Sequence, residues 1–417
     1  LGRAHREAPE IARALRVIAI TGSSGKTTTK DLLAAILEAH VGDAALKTEG
    51  NLNNHLGVPL TLLRLTPAHR YAVVEMGMSA RGEIAYLTAL ARPEIGIITN
   101  VGPVHLESLG TVDNVAAAKG ELWAGLAAGA AAVVPLGPGH ERLLTQAQRA
   151  GAFTGRLRAL GAKRQDDLAR RQDDAAAQQN CESEPLAPYA TRVSAALQSE
   201  DESGLRVRFT CALTDGAPPL RFDAQIPLLG AHNADNAALV VAAALALDIP
   251  VRTIIEGLSR VRPGKHRGQL LRRGGRVLID DCYNASPMAV KAALRTLRAL
   301  RGAGRGLFLL GDMLELGHEE NALHAAVGEA AADSGVALLI TLGARAAHAA
   351  AAAAARGVPT ITADSAESAA ALLAERSQPG DYILIKGSRG MQLERALTSL
   401  EAQLPPDGPP APRTRED

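Results

Sequence analysis

Apolar positions along this chain follow two alternating periods. Arg16 to Thr21 (RVIAIT) is a short β-branched and apolar run, a glycine-rich turn follows it, and from Thr27 to Ala39 the apolar residues recur at helical spacing. This predicts strand, loop, helix. Similar runs return at 71–76 (YAVVEM), 94–100 (EIGIITN) and 131–135, with helical patterns at 82–91 and 112–127 between them. Continuous apolar strands joined through helices predict a parallel sheet covered on both faces.

From about 155 to 204 the pattern gives way to Arg, Asp, Gln, Ser and Glu, with Pro185 and Pro188, which reads as a partly disordered surface insertion. Strand-like runs resume at 205–213 and 220–229, a helix starts near His232 and continues to Leu247, and Arg262-Pro263-Gly264 marks a boundary. Beyond it a second alternating series, at 277–280, 307–310, 337–342, 360–362 and 382–385, predicts a separate Rossmann-like domain. The nearly all-alanine run 346–355 is helical by propensity alone. Residues 405–417 are a Pro-rich polar stretch and are expected to be a disordered tail.

Composition narrows the partners. No run reaches the roughly 18 uncharged apolar residues that a membrane-spanning helix needs. Formal net charge is +1 with the signs interspersed, which gives no footprint for nucleic acid or an anionic membrane and points to a small-molecule partner. Cys181, Cys211 and Cys282 lie far apart, neither a disulfide framework nor a metal-ligand pair, and read as cytosolic thiols. Of 45 basic residues eight are lysines, so ordinary surface charge here is arginine and each lysine is a better functional candidate than usual.

The strongest chemical signal is Thr21-Gly22-Ser23-Ser24-Gly25-Lys26-Thr27-Thr28, set where a strand meets a helix. Backbone N–H groups and the helix dipole can cradle phosphates there, with Lys26 reaching the β- and γ-phosphates and the Thr27 hydroxyl on Mg²⁺. The spelling departs from the usual phosphate loop, since Ile20 takes the first glycine position and Gly22 falls inside the turn. A nucleoside triphosphate is the implied ligand, and the fold class is α/β, a phosphate-loop central domain plus a carboxy-terminal Rossmann-like domain. Glu75 ends an apolar strand, where a carboxylate serves equally as a second Mg²⁺ ligand or as a helix cap. By pattern alone His105 is a loop histidine and Lys119 a solvated helix lysine.

Longer spellings resemble a known family. Thr21-Gly-Ser-Ser-Gly-Lys-Thr-Thr-Thr, Gly50-Asn-Leu-Asn-Asn-His-Leu-Gly-Val-Pro-Leu-Thr-Leu-Leu, Glu75-Met-Gly, Asn100-Val-Gly-Pro-Val-His-Leu-Glu and Ala118-Lys-Gly-Glu-Leu together look like the central domain of the Mur ligases. Leu229-Gly-Ala-His-Asn-Ala-Asp-Asn-Ala-Ala continues the resemblance. Ile279-Asp-Asp-Cys-Tyr-Asn-Ala-Ser-Pro, Gly311-Asp-Met-Leu-Glu-Leu-Gly and Ile385-Lys-Gly-Ser-Arg-Gly resemble the MurF branch, which adds D-alanyl-D-alanine. The match covers nearly everything from 16 to 400.

The resemblance implies a cytoplasmic, monomeric ATP- and Mg²⁺-dependent amide ligase of peptidoglycan synthesis. Its partners would be UDP-N-acetylmuramoyl-tripeptide and D-alanyl-D-alanine, joined through an acyl phosphate. It implies Gly22, Ser23, Ser24, Gly25, Lys26, Thr27 and Thr28 on the phosphates; Thr27, Glu75, His105 and a carbamylated Lys119 on metal; and His232, Asn233 and Asn236 near the base. Arg267 and Asp281 are implied as further nucleotide ligands, with the choice between Asp280 and Asp281 left open by the spacing. Asn51, Asn53, Asn54, Asn284, Lys386, Ser388 and Arg389 are the implied substrate contacts. By the same resemblance 1–15 is a residual linker from a UDP-binding domain with no counterpart before residue 16. The central ATP-binding domain covers 16–263, including the insertion at 155–204, and the carboxy-terminal domain covers 264–404. The alternatives are a ligase like MurE or folylpolyglutamate synthetase, and a nucleotide-binding homologue without turnover.

Overall fold

In β1 (Arg16–Thr21) every residue after the first is buried, as a central strand with helices on both faces requires. The computed structural model of the chain describes residues 1–137, 139–152, 157–164, 191–213 and 218–407. It divides into two compact units, Leu1–Arg262 and Pro263–Asp417. No helix among the described residues is long and apolar enough to cross a membrane.

The first unit carries a mixed sheet formed by β1, β2 (Ala45–Lys47), β3 (Tyr71–Glu75), β4 (Ile95–Ile98), β5 (Ala131–Pro135), β6 (Arg158–Arg164), β7 (Thr191–Asp201), β8 (Gly204–Leu213) and β9 (Leu220–Ile226). Their spatial order is β2-β3-β1-β4-β5-β6-β7-β8-β9. Pairing is parallel from β2 through β7 and antiparallel for β7–β8 and β8–β9. Because β1 lies between β3 and β4, the loops at their carboxyl ends converge at one edge, where α/β sheets bind ligands. One core joins this sheet to the helices Lys26–Val41 and His232–Ala246, through Ile18, Ile20, Leu33, Ile36, Val240 and Val241. Each such fully buried Ile or Leu contributes about 1.5–3 kcal/mol from area removed from water.

The second unit holds a smaller sheet of β10 (Gln269–Arg273), β11 (Arg276–Asp280), β12 (Gly306–Gly311), β13 (Leu338–Leu342), β14 (Thr360–Ala363) and β15 (Tyr382–Lys386). The order is β10-β11-β15-β12-β13-β14, all parallel except the edge pair β10–β11. That pair is a tight hairpin. Its two-residue turn, Gly274-Gly275, has φ of 56° and 71°, the doubly left-handed turn whose twist suits a hairpin.

Two sequence expectations are refined. The stretch 155–204 is not wholly an insertion: its ends supply β6 and β7, and β7 alternates buried and half-buried residues as a sheet strand does. What lies between, 165–190, falls outside the described residues, as does the tail from 408 onward. Residues 1–15, expected as a residual linker, contain two short helices, Gly2–Arg6 and Pro9–Ala12, and belong to the first unit. There His5 Nε2 bonds the Leu65 carbonyl at 2.9 Å and Arg6 Nε donates to the Ala91 carbonyl at 3.1 Å.

Candidate active site

The chain from β1 into the helix Lys26–Val41 wraps so tightly that side chains are excluded. A Cβ on Gly22 would stand 1.9 Å from Thr99 Oγ1, and one on Gly25, whose φ is 80°, would stand 2.7 Å from Asn236 Oδ1. Residues after β4 hold the loop from the other side. Thr99 Oγ1 donates to the Ser24 carbonyl at 2.5 Å, and Asn100 accepts from Ser24 N at 2.9 Å while its amide donates to the same carbonyl at 3.1 Å. The Ser23 hydroxyl accepts from Gly102 N at 3.0 Å. Lys26 Nζ folds back onto the Gly22 carbonyl at 2.8 Å, so the cation lies across the mouth of its own loop.

Glu75 closes β3 beside this loop and is 2% exposed. Oε1 accepts from Asn53 Nδ2 at 2.7 Å, whereas Oε2 is buried with no hydrogen-bond partner. A carboxylate oxygen withdrawn from water and left unpaired is costly, and the donor a hard divalent cation uses is of this kind. Asn53 is thereby brought to the site, its own carbonyl taking Gly77 N at 2.8 Å. Asn54 is not: its side chain accepts from Leu56 N and Gly57 N just before the next helix, and Asn51 lies exposed.

His105 has a φ of 53°, a left-handed conformation uncommon for histidine, and its carbonyl starts the short helix Leu106–Leu109 by accepting from Leu109 N at 3.0 Å. Lys119 lies inside the helix Val112–Ala124 and is 1% exposed, which overturns the solvated-lysine reading. Burial pushes its amine well below the usual lysine range, and the Lys26 charge pushes it further the same way. Its neighbour Glu121 accepts from Gly82 N and Ala85 N and so ties this helix to the helix Glu83–Ala91. On the helix His232–Ala246, Asn233 donates to the Leu229 carbonyl at 2.7 Å and accepts from Asn236 at 2.8 Å. The Asn236 amide thereby stands against the last glycine of the phosphate loop; His232 is exposed one turn earlier.

The second unit brings another set of the expected residues together. Lys386, at the end of β15, forms an ion pair with Asp281 at 2.5 Å and donates to the Asn284 carbonyl at 3.1 Å. Ser388 is buried, its hydroxyl accepting from Leu314 N at 2.9 Å, and Arg389 is exposed and paired with Glu394. The two aspartates are told apart. Asp280 is buried on His266, at 2.7 Å, and Asp281 serves Lys386. The Arg267 guanidinium carbon lies 4.0 Å above the Tyr283 ring. Thr99, His266 and Tyr283 were not singled out in the sequence. Tyr283 stands inside a quoted motif, but nothing in the local pattern of Thr99 or His266 marks it.

Residues 20–244 match the Mur ligase middle domain and residues 266–389 the glutamate ligase domain of Mur ligases. The chain belongs to the Mur ligase family and is an ATP-dependent ligase. More particularly, it is similar to UDP-N-acetylmuramoyl-tripeptide–D-alanyl-D-alanine ligases. That of Bacillus subtilis is 33% identical over 388 residues, 92% of this chain and 76% of the relative. That of Escherichia coli is 33% identical over 392 residues, 93% and 77% respectively. Among solved structures, MurF from Acinetobacter baumannii superposes with a TM-score of 0.77 at 27% identity, covering 96% of this chain and 79% of that one. The MurF ligase of Thermotoga maritima in complex with ADP shares the fold at a TM-score of 0.75 and 24% identity, covering 96% and 83%.

Proposed function

We propose that this chain activates the terminal carboxylate of UDP-N-acetylmuramoyl-tripeptide with ATP and joins it to D-alanyl-D-alanine. The relatives of Bacillus subtilis and Escherichia coli supply the substrate names, at 33% identity over about three quarters of their length. The observation that carries the chemistry is the unpaired, buried Oε2 of Glu75 beside a preformed phosphate loop.

The tripeptide carboxylate attacks the γ-phosphorus, ADP leaves, and the resulting acyl phosphate is attacked by the dipeptide amine, which loses a proton as inorganic phosphate departs. Two anions must meet in the first step. Lys26, once released from the Gly22 carbonyl, supplies a positive charge to the β- and γ-phosphates, and the backbone N–H groups of Gly25 to Thr28 at the helix start would serve them, those of Ser23 and Ser24 being held by Asn100. Thr27, Glu75, His105 and Lys119 are the residues that would hold Mg²⁺, which when bound neutralises charge on the phosphoryl group and its acceptor. Burial shifts Lys119 toward the neutral amine, the form that adds to carbon dioxide, and the carbamate so made is an anion where an ammonium would repel the cations. Asn53 orients Glu75 by taking its other oxygen. Asn233 and Asn236 present amides that donate and accept beside the phosphate loop. Arg267 of the second unit is the residue this reading assigns to phosphate oxygens, which its fork suits.

Phosphate release in the presence of ATP, UDP-N-acetylmuramoyl-tripeptide and a panel of amines tests the reading. D-alanyl-D-alanine is the expected acceptor. Preference for D-glutamate, diaminopimelate or a folate would overturn it, and no release with any amine would favour a nucleotide-binding homologue without turnover.

A further inference from the structure

His266 is held at a left-handed φ by three hydrogen bonds. Its φ is 58°, its ring Nδ1 donates to Asp280 Oδ2 at 2.7 Å, its backbone N–H donates to Gln269 Oε1 at 3.1 Å, and its carbonyl accepts from Tyr283 N at 3.1 Å. Since a carboxylate only accepts, the ring proton on this side sits on Nδ1. Asp280 in turn is 2% exposed at the end of β11, and its second oxygen accepts from Cys282 Sγ at 3.1 Å. His266, Asp280 and Cys282 therefore satisfy one another as a closed group inside 4.8 Å. The very next residue is Arg267, whose guanidinium carbon stands 4.0 Å from the centre of the Tyr283 ring, and Tyr283 is the residue that bonds the His266 carbonyl.

From this arrangement we propose that the Asp280–His266 pair is a positioning clamp that sets Arg267 on the Tyr283 ring, so that its guanidinium is pre-oriented before the nucleotide arrives. The inference rests on the reading of Arg267 as a nucleotide ligand. A long arginine on a mobile loop samples many rotamers, and ordering it on binding weakens affinity; a stacked arginine has already been ordered. A left-handed φ next to it is uncommon outside glycine, histidine tolerating it better than most, and such a conformation persists where surrounding bonds over-determine it. Here three bonds, one of them to a buried aspartate, do so. Asp280 acts through His266 and does not need to touch the nucleotide, which separates its role from that of Asp281.

The test uses replacements that tolerate positive φ and differ in the donor. His266→Asn keeps an N–H near the Nδ1 position and is expected to hold KM for ATP within about twofold of the parent. His266→Asp is nearly the same shape, has no donor and faces Asp280. It should raise KM for ATP by on the order of tenfold to a hundredfold, the range for a misplaced positioning group. Both are then placed in an Arg267→Ala background. If the clamp acts through Arg267, His266→Asp has no further effect on KM there. The same KM increase in both backgrounds would overturn the clamp, and so would a His266→Asn variant as impaired as His266→Asp. If Arg267→Ala alone leaves KM and kcat for ATP unchanged, it is the nucleotide role of Arg267 that fails. Should His266→Asp not fold, His266→Gly, which keeps the φ and loses the donor, carries the same comparison.

Discussion

Lys119 and Lys386 are buried to nearly the same extent, 1% and 3% exposed, one in each unit, and they are treated oppositely. Lys386 has a carboxylate at 2.5 Å and two backbone carbonyls within 3.3 Å, so its charge is matched where it sits. Lys119 feels the positive charge of Lys26, and burial and repulsion both push its amine toward the neutral form. A paired buried lysine holds structure together. One whose surroundings favour the neutral amine is a candidate nucleophile, at a cost to stability that its chemistry must justify.

The largest effect that could break this contrast is on turnover. Lys119→Arg cannot be neutralised or carbamylated and keeps a cation at the site, so kcat should fall by at least about a hundredfold. ATP binding through Lys26 should stay near the parent value, as read by titration calorimetry. An arginine enzyme with parental kcat would put Lys119 among ordinary structural lysines.

Stability separates the two next. Lys386→Met strands Asp281, which is 24% exposed, and should lower unfolding free energy by about 3 kcal/mol, the low end for breaking a buried pair. Lys119→Met removes an unfavourable burial and should be neutral or stabilising in denaturant titrations. Equal losses for both would erase the distinction.

The pH dependence sharpens it further. In buffer purged of carbon dioxide, between the lowered pKa of Lys119 and the ordinary lysine value of 10.5, the unfolded chain holds one more proton than the folded one. Stability therefore rises with pH through that window, by about 1.4 kcal/mol per unit, and is level with respect to this group above 10.5. Lys119→Met should lack that slope; its persistence would assign it to another group.

The smallest effect concerns thiols, on which burial acts with the opposite sign. Cys211 is pushed up to about 12 and Cys282 well above the usual thiol range, mainly by desolvation. A thiol reagent at pH 8 should therefore label neither residue until the chain unfolds. Rapid labelling of either in the folded protein, mapped by peptide mass spectrometry, would show that burial does not control reactivity here.

Much of this was legible in sequence, and unevenly. β1, β3 and β5 announce themselves as continuous apolar runs, and the phosphate loop is spelled out because its backbone conformation demands glycine. The β10–β11 hairpin was missed although Arg-Gly-Gly-Arg at 273–276 is a two-residue turn signal, because Gln269–Arg273 is an edge strand without an apolar run. Strands β6 and β7 hid in polar sequence for a related reason: only one residue in two of β7 needs to be apolar. Burial of Lys119 could not be read from its helix, where alanines surround it and the pattern does not show which face meets the sheet. The motif singled out that lysine by resemblance; the fold shows that it is buried. Nor could spacing choose between Asp280 and Asp281, since adjacent residues at a strand end point to different partners and only the fold says which meets His266 and which meets Lys386.

The account turns on Lys119 being a neutral buried amine that takes up carbon dioxide. Carbon-13 NMR of the enzyme in labelled bicarbonate addresses that directly. The expected result is a carbamate resonance in the parent and in Lys386→Met that is missing from Lys119→Arg. An active parent enzyme with no such resonance would contradict it.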